Sequence, residues 1–130
     1  MMFHKYNVAD AEYEVLQMLW RCGGEVRQTE LLKQFEMAGK AWKRQTLNTL
    51  LARLEEKKLV ERENRVVRAV LSQVEYNNLQ MQENIEHMYG GKLSSFIAAF
   101  TGQKGISEEE AEEIRKLLEK KKGEQGGEDG

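Results

Sequence analysis

Not one of the 130 residues is proline, so no position lacks its backbone N–H or drives a ring into the preceding helical turn. Long uninterrupted helices are favoured, and glycine is left to punctuate them. The first helical pattern runs from about Asp10 to Cys22. Ala11, Val15, Met18, Leu19 and Cys22 recur on one helical face, and Tyr13, Leu16 and Trp20 widen it. Asp10 is placed as the N-cap and Gly23-Gly24 as the stop. A second helix is expected from about Gln28 to Met37, with Leu31, Leu32 and Phe35 apolar and Gly39 ending it. The third spans about Lys43–Lys58, where Leu47, Leu50, Leu51 and Leu54 make an i, i+3, i+4, i+7 stripe that must face a core.

The period then changes. Leu59–Glu63 and Val66–Ser72 carry β-branched residues around Asn64-Arg65, which predicts a two-stranded hairpin. From Val74 the pattern is helical again, to about Tyr89, where Gly90-Gly91 interrupts it. Further helices are expected over about Leu93–Thr101 and from Ser107 to about Lys122. Ser107 with Glu110 has the spacing of a capping box. The fold class expected is mainly α: an N-terminal winged helix-turn-helix of three helices plus a β-hairpin wing, then a C-terminal helical dimerisation domain. The boundaries are 1–73 and 74–122, with 123–130 a disordered Gly/acidic tail.

Little points to chemistry. Cys22 is the single cysteine and the histidines are His4 and His87, which excludes a disulfide framework and a self-contained Cys/His zinc site. Cys22 reads as a small core hydrophobe and His87 as a polar helix position. No nucleophile–base set, phosphate loop or carboxylate pair stands out, so no enzyme, cofactor or metal is expected. No apolar run approaches the roughly 20 residues needed to span a bilayer. The opening MMFHKYNVADAEYE lacks the basic-then-apolar order of a signal peptide. A cytoplasmic protein without membrane insertion is expected.

Charge is unevenly placed. Residues 1–73 carry 13 Lys+Arg against 10 Asp+Glu, residues 74–130 carry 7 against 12, and residues 40–68 carry 9 against 4. A basic stretch ahead of an acidic one suits a first part that meets phosphate and a second that does not, although solvated surface charge gives the same counts. In a winged helix-turn-helix the third helix enters the major groove. The face opposite its leucines is centred on Gln45, Thr49, Ala52 and Glu56, flanked by Asn48 and Arg53. Gln and Asn can pair with adenine edges, and Thr or Ala methyls can touch thymine. Lys43, Arg44 and Gln45 sit at the helix N-terminus, where phosphate is favoured, and Arg65 at the wing tip could reach a flanking phosphate or the minor groove. The bland alternative is a polar face that meets only water.

The segments DAEYEVLQMLW, WKRQTLNTLLARLEEKK and YGGKLSSFIAAF…ISEEEAEEIRKLLEKK, in that order over roughly residues 7–122, resemble the penicillinase-repressor family of winged-helix transcriptional repressors. The resemblance implies a homodimeric repressor that binds double-stranded operator DNA upstream of a resistance or stress operon. By position, Gln45, Thr46, Asn48, Thr49 and Arg53 resemble the family's recognition-helix contacts, and Trp42 the tryptophan that opens that helix. The chain departs from the family where Lys43-Arg44 replaces Ser-Pro, Gln45 replaces Lys, Asn48 replaces Lys or Arg, Lys58 replaces Gly, and Ala69-Val70 replaces an aromatic pair. These departures point to a different operator.

The apolar residues Leu93, Phe96, Ile97 and Phe100, with Ile114, Leu117 and Leu118, would be costly to leave in water. A partner chain is their expected cover, and packing onto the N-terminal domain is the alternative. A membrane sensor-protease pathway is the further partner the resemblance implies. The cleavage position of inducible relatives, an Asn-Phe bond, falls at Ala99-Phe100, where Phe is kept and Asn is not. The copper-responsive branch uses C-terminal Cys-x-Cys motifs, and no cysteine follows Cys22. The competing function is a winged-helix protein-interaction module without sequence-specific DNA binding.

Overall fold

The leucine stripe of the third helix lies in the core of the N-terminal unit. The computed structural model describes residues 8–123; most of the expected 123–130 tail and the first seven residues lie outside the described range. Helix α1 (Asp10–Arg21), strand β1 (Glu25–Arg27), helices α2 (Gln28–Met37) and α3 (Arg44–Glu56), and strands β2 (Val60–Glu63) and β3 (Val66–Ala69) follow in order. Leu47, Leu51 and Leu54 of α3 are fully buried, and Val15, Leu16, Leu19, Leu31, Phe35, Leu59, Val60 and Val67 close around them. Removing one such leucine to alanine typically costs about 2–5 kcal/mol.

The expected hairpin is present, and it gains a strand that the periodicity did not reveal. The sheet order is β1-β3-β2, all antiparallel. Val26 faces Val67 and Val60 faces Ala69. Glu63 pairs with Val66, so the turn has two residues, Asn64 at φ 53° and Arg65 at φ 65°. Positive φ at both central positions is the geometry whose twist matches paired strands. Strand β3 stops at Ala69 rather than Ser72. Ser72 instead caps the next helix, its hydroxyl accepting from the Glu75 amide while the Glu75 carboxylate accepts from the Ser72 amide. At the N-terminus Ala9, not Asp10, is the N-cap, and the Glu12 carboxylate accepts from its amide.

Helix α4 (Gln73–Tyr89) is followed by α5 (Leu93–Lys104) and α6 (Glu108–Lys121). The Ser107 hydroxyl accepts from the Glu110 amide at the start of α6. The chain divides into two compact units, the first ending at Gly91 and the second beginning at Lys92. The division therefore falls one helix later than the 73/74 boundary read from the sequence. Tyr76 accounts for the difference. It is 2% exposed, and its ring lies 5.4 Å from Trp20 and 5.7 Å from Tyr13. The Trp20 indole N–H donates to the Leu71 carbonyl at 2.9 Å, which fixes the approach to α4. Cys22 is half-buried against the same core.

Candidate nucleic-acid interface

Burying four leucines of α3 leaves the other face of that helix to solvent. Arg44, Gln45, Thr46, Asn48, Thr49 and Arg53 are all exposed, as is Lys43 at the N-cap, while Ala52 is half-buried. No side chain caps α3, and none caps α2. Their first amides are the groups a helix leaves without internal partners. Trp42, just ahead of α3, is half-buried with its ring 4.6 Å from Phe35, so it anchors the loop between α2 and α3. The Thr49 hydroxyl donates back to the Gln45 carbonyl at 3.0 Å.

The wing turn comes back to this surface. The Gln28 amide, at the start of α2, donates to the Arg65 carbonyl at 2.9 Å. A cleft of ≈400 Å³ is lined by Gln28, Thr29, Leu32, Arg44, Leu47 and Arg65. The two arginines, far apart in sequence, thus share one cleft with the N-terminus of α2. A negative ligand in this cleft would lie beside two basic residues.

The structure also sorts the basic residues of the 40–68 stretch. Lys40 pairs with Glu14 at 2.9 Å, Arg62 with Glu55 at 2.6 Å, Lys57 with Glu12 and Arg68 with Glu61. Among the described residues Lys43, Arg44, Arg53 and Arg65 have no such partner. Of the cations without such a partner, all but Lys58, just past the end of α3, lie at the N-cap or on the exposed face of α3 or at the wing tip. This concentrates positive potential where an approaching polyanion would arrive.

Arg62 is the residue the sequence reading missed. On β2 it shares a sheet face with Val60, pointing at α3. Its Nη1 donates to Asn48 Oδ1 at 2.6 Å and to Gln28 Oε1 at 3.4 Å, and its Nη2 to Glu55 Oε1 at 2.6 Å. Alternation from Val60 gives the direction of the side chain, but its partners are reached only in the fold.

The residues expected at a subunit interface lie in the second unit. Leu93, Phe100, Leu117 and Leu118 are 46%, 46%, 59% and 48% exposed, and Phe96, Ile97 and Ile114 are half-buried. The Phe96 and Phe100 rings are 6.4 Å apart. Ala99 and Phe100 are both exposed inside α5. Among the described residues no helix is long and apolar enough to cross a membrane.

Sequence comparison agrees with this geometry. The profile of the family described as penicillinase repressor matches residues 8–120. The methicillin resistance regulatory protein MecI of Staphylococcus aureus (strain N315) is 27% identical over 121 residues, covering 89% of this chain and 96% of its own. The MecI of Mammaliicoccus sciuri is 26% identical over the same length. The penicillinase repressor of Bacillus licheniformis is 26% identical over 120 residues, covering 89% of this chain and 92% of its own.

Proposed function

The chain belongs to the penicillinase repressor family, and from that premise we propose that it is a homodimeric, cytoplasmic, DNA-binding repressor of a resistance or stress operon. The observation that carries the reading is the two-sided character of α3. Four leucines anchor it, and its opposite face is exposed, polar and flanked by unpaired cations. In this reading α3 lies in the major groove. Gln45, Asn48, Thr49 and Arg53 meet base edges, and Thr46 stands beside them at the groove wall. Lys43 and Arg44 hold the phosphate backbone at the helix N-terminus, and Arg65 holds a second phosphate across the shared cleft.

Two such surfaces are needed for tight binding, because half-sites of a dyad operator lie about one helical turn apart. Leu93, Phe96, Ile97, Phe100, Ile114, Leu117 and Leu118 are proposed as the dimer contact. The inducing partner is proposed to be a sensor-protease pathway. A protease acting at Ala99-Phe100 would have to open α5 first, since that bond sits inside a helix and proteases take the transiently opened chain.

Titration of labelled DNA from upstream of its own gene, at several salt concentrations, tests the function. Sequence-specific binding with a steep salt dependence is expected. Lys43→Ala should weaken binding to all sequences alike and lower the salt slope by about one. Retention of no DNA at moderate salt would leave the protein-interaction module as the better reading.

A further inference from the structure

The contact between Arg62 and Asn48 fixes what Asn48 can offer to DNA. A guanidinium carries only donors, so the amide oxygen of Asn48 faces Arg62 and the NH₂ group is turned away from it. The 2.6 Å separation marks a charge-assisted bond. Glu55, two turns further along α3, holds the other guanidinium nitrogen at 2.6 Å and balances its charge. Gln28 closes the third side. The Arg62 side chain is only 21% exposed, whereas Asn48 is exposed.

Pairing with adenine asks an asparagine to accept from N6–H and donate to N7 together, while guanine presents two acceptors, N7 and O6. We propose that Arg62 is a positioning residue that sets the base preference of α3: by holding the Asn48 oxygen toward the wing, it aims the Asn48 donors at DNA and favours guanine over adenine. This revises the adenine contact expected of Asn48 from residue type alone, and it rests on the DNA-binding reading above.

The test is selection from a randomised DNA library with the full chain, its Asn48→Ala, Arg62→Met and Arg62→Lys variants, and the Asn48→Ala/Arg62→Met double variant. The base position read by Asn48 is the one whose preference Asn48→Ala flattens. The wild type should favour guanine there. Arg62→Met should lower that preference by about tenfold while leaving other positions and the salt slope unchanged. The double variant should match Asn48→Ala. Arg62→Lys keeps a charge for Glu55 but lacks the fork that spans both partners, so it should stay folded and still lose preference at that position.

Adenine preference in the wild type, an effect of Arg62→Met that persists without Asn48, or a salt slope lowered by about one would each overturn the proposal. So would an Arg62→Met profile identical to that of the wild type. A wild-type chain that enriches no sequence at all defeats the DNA-binding reading itself, and this inference with it.

Discussion

Lys58 occupies a backbone position that the chain elsewhere gives to glycine. Helices α1, α2 and α3 end with the same pair of bonds. Gly24 N donates to Leu19 O at 2.7 Å, Lys40 N to Phe35 O at 2.9 Å, and Leu59 N to Leu54 O at 2.9 Å. The amide one residue earlier closes the inner bond in each case, from Gly23, Gly39 and Lys58. Those three residues have φ of 95°, 90° and 62°, where a Cβ is penalised. Lys58→Gly should therefore stabilise the protein by about 1 kcal/mol and raise its melting temperature by several degrees. A lower melting temperature would mean that Lys58 makes a compensating contact. One residue back, Lys57 reaches Glu12, which is only 2% exposed and also accepts from the Ala9 amide at 3.3 Å. Loss of one member of a buried ion pair costs about 3–5 kcal/mol. The Lys57 side chain is 26% exposed and can recover some hydration, so Glu12→Ala should cost less, about 2 kcal/mol, in urea denaturation. A change near zero would show that the pair is no better than its absence.

At the scale of elements, long periodic segments were legible and short or tertiary ones were not. The stripes of α1 and α3 fix their own inward faces, and Asn64-Arg65 marks the wing turn without help from the rest of the chain. Strand β1 has three residues and one apolar side chain, Val26. It exists because β3 offers it an edge, which no local pattern records. The same holds for Arg62, whose partners come from two helices. Helix α4 falls in the first compact unit although its first turns are mostly polar. A single aromatic, Tyr76, carries its attachment to Trp20 and Tyr13. Tyr76→Ala should cost about 3–5 kcal/mol and shift Trp20 fluorescence to longer wavelength, since the indole loses its cover. Val74→Ala, two residues away at a 67% exposed position, serves as the control and should change neither. Equal behaviour of the two variants would remove Tyr76 as the anchor.

The whole molecule poses a problem of size. The second compact unit begins at Lys92, its described part ends at Gly123, and neither α5 nor α6 contains a buried residue. Units below about 40 residues usually need a disulfide, a metal or a second copy to be stable. Cys22, the single cysteine, lies outside this unit, and among the described residues no cluster of three metal-ligating side chains occurs. The proposed second copy would be such a device, and it would meet a functional need as well. A monomer offers one α3 to one half-site, whereas linking two multiplies affinity by roughly 10²–10⁴ without any new DNA contact. Phe100→Asp and Leu118→Asp place a charge at residues 46% and 48% exposed, where the single chain tolerates it but an apolar contact between copies does not. Each should convert a sedimenting dimer to a monomer and weaken operator binding by about a hundredfold or more, while the Trp20 fluorescence melt of the first unit persists. A wild-type chain that sediments as a monomer at micromolar concentration, yet binds a dyad operator with full affinity, would contradict this account. It would place the linkage between the two copies of α3 on the DNA rather than in α5 and α6.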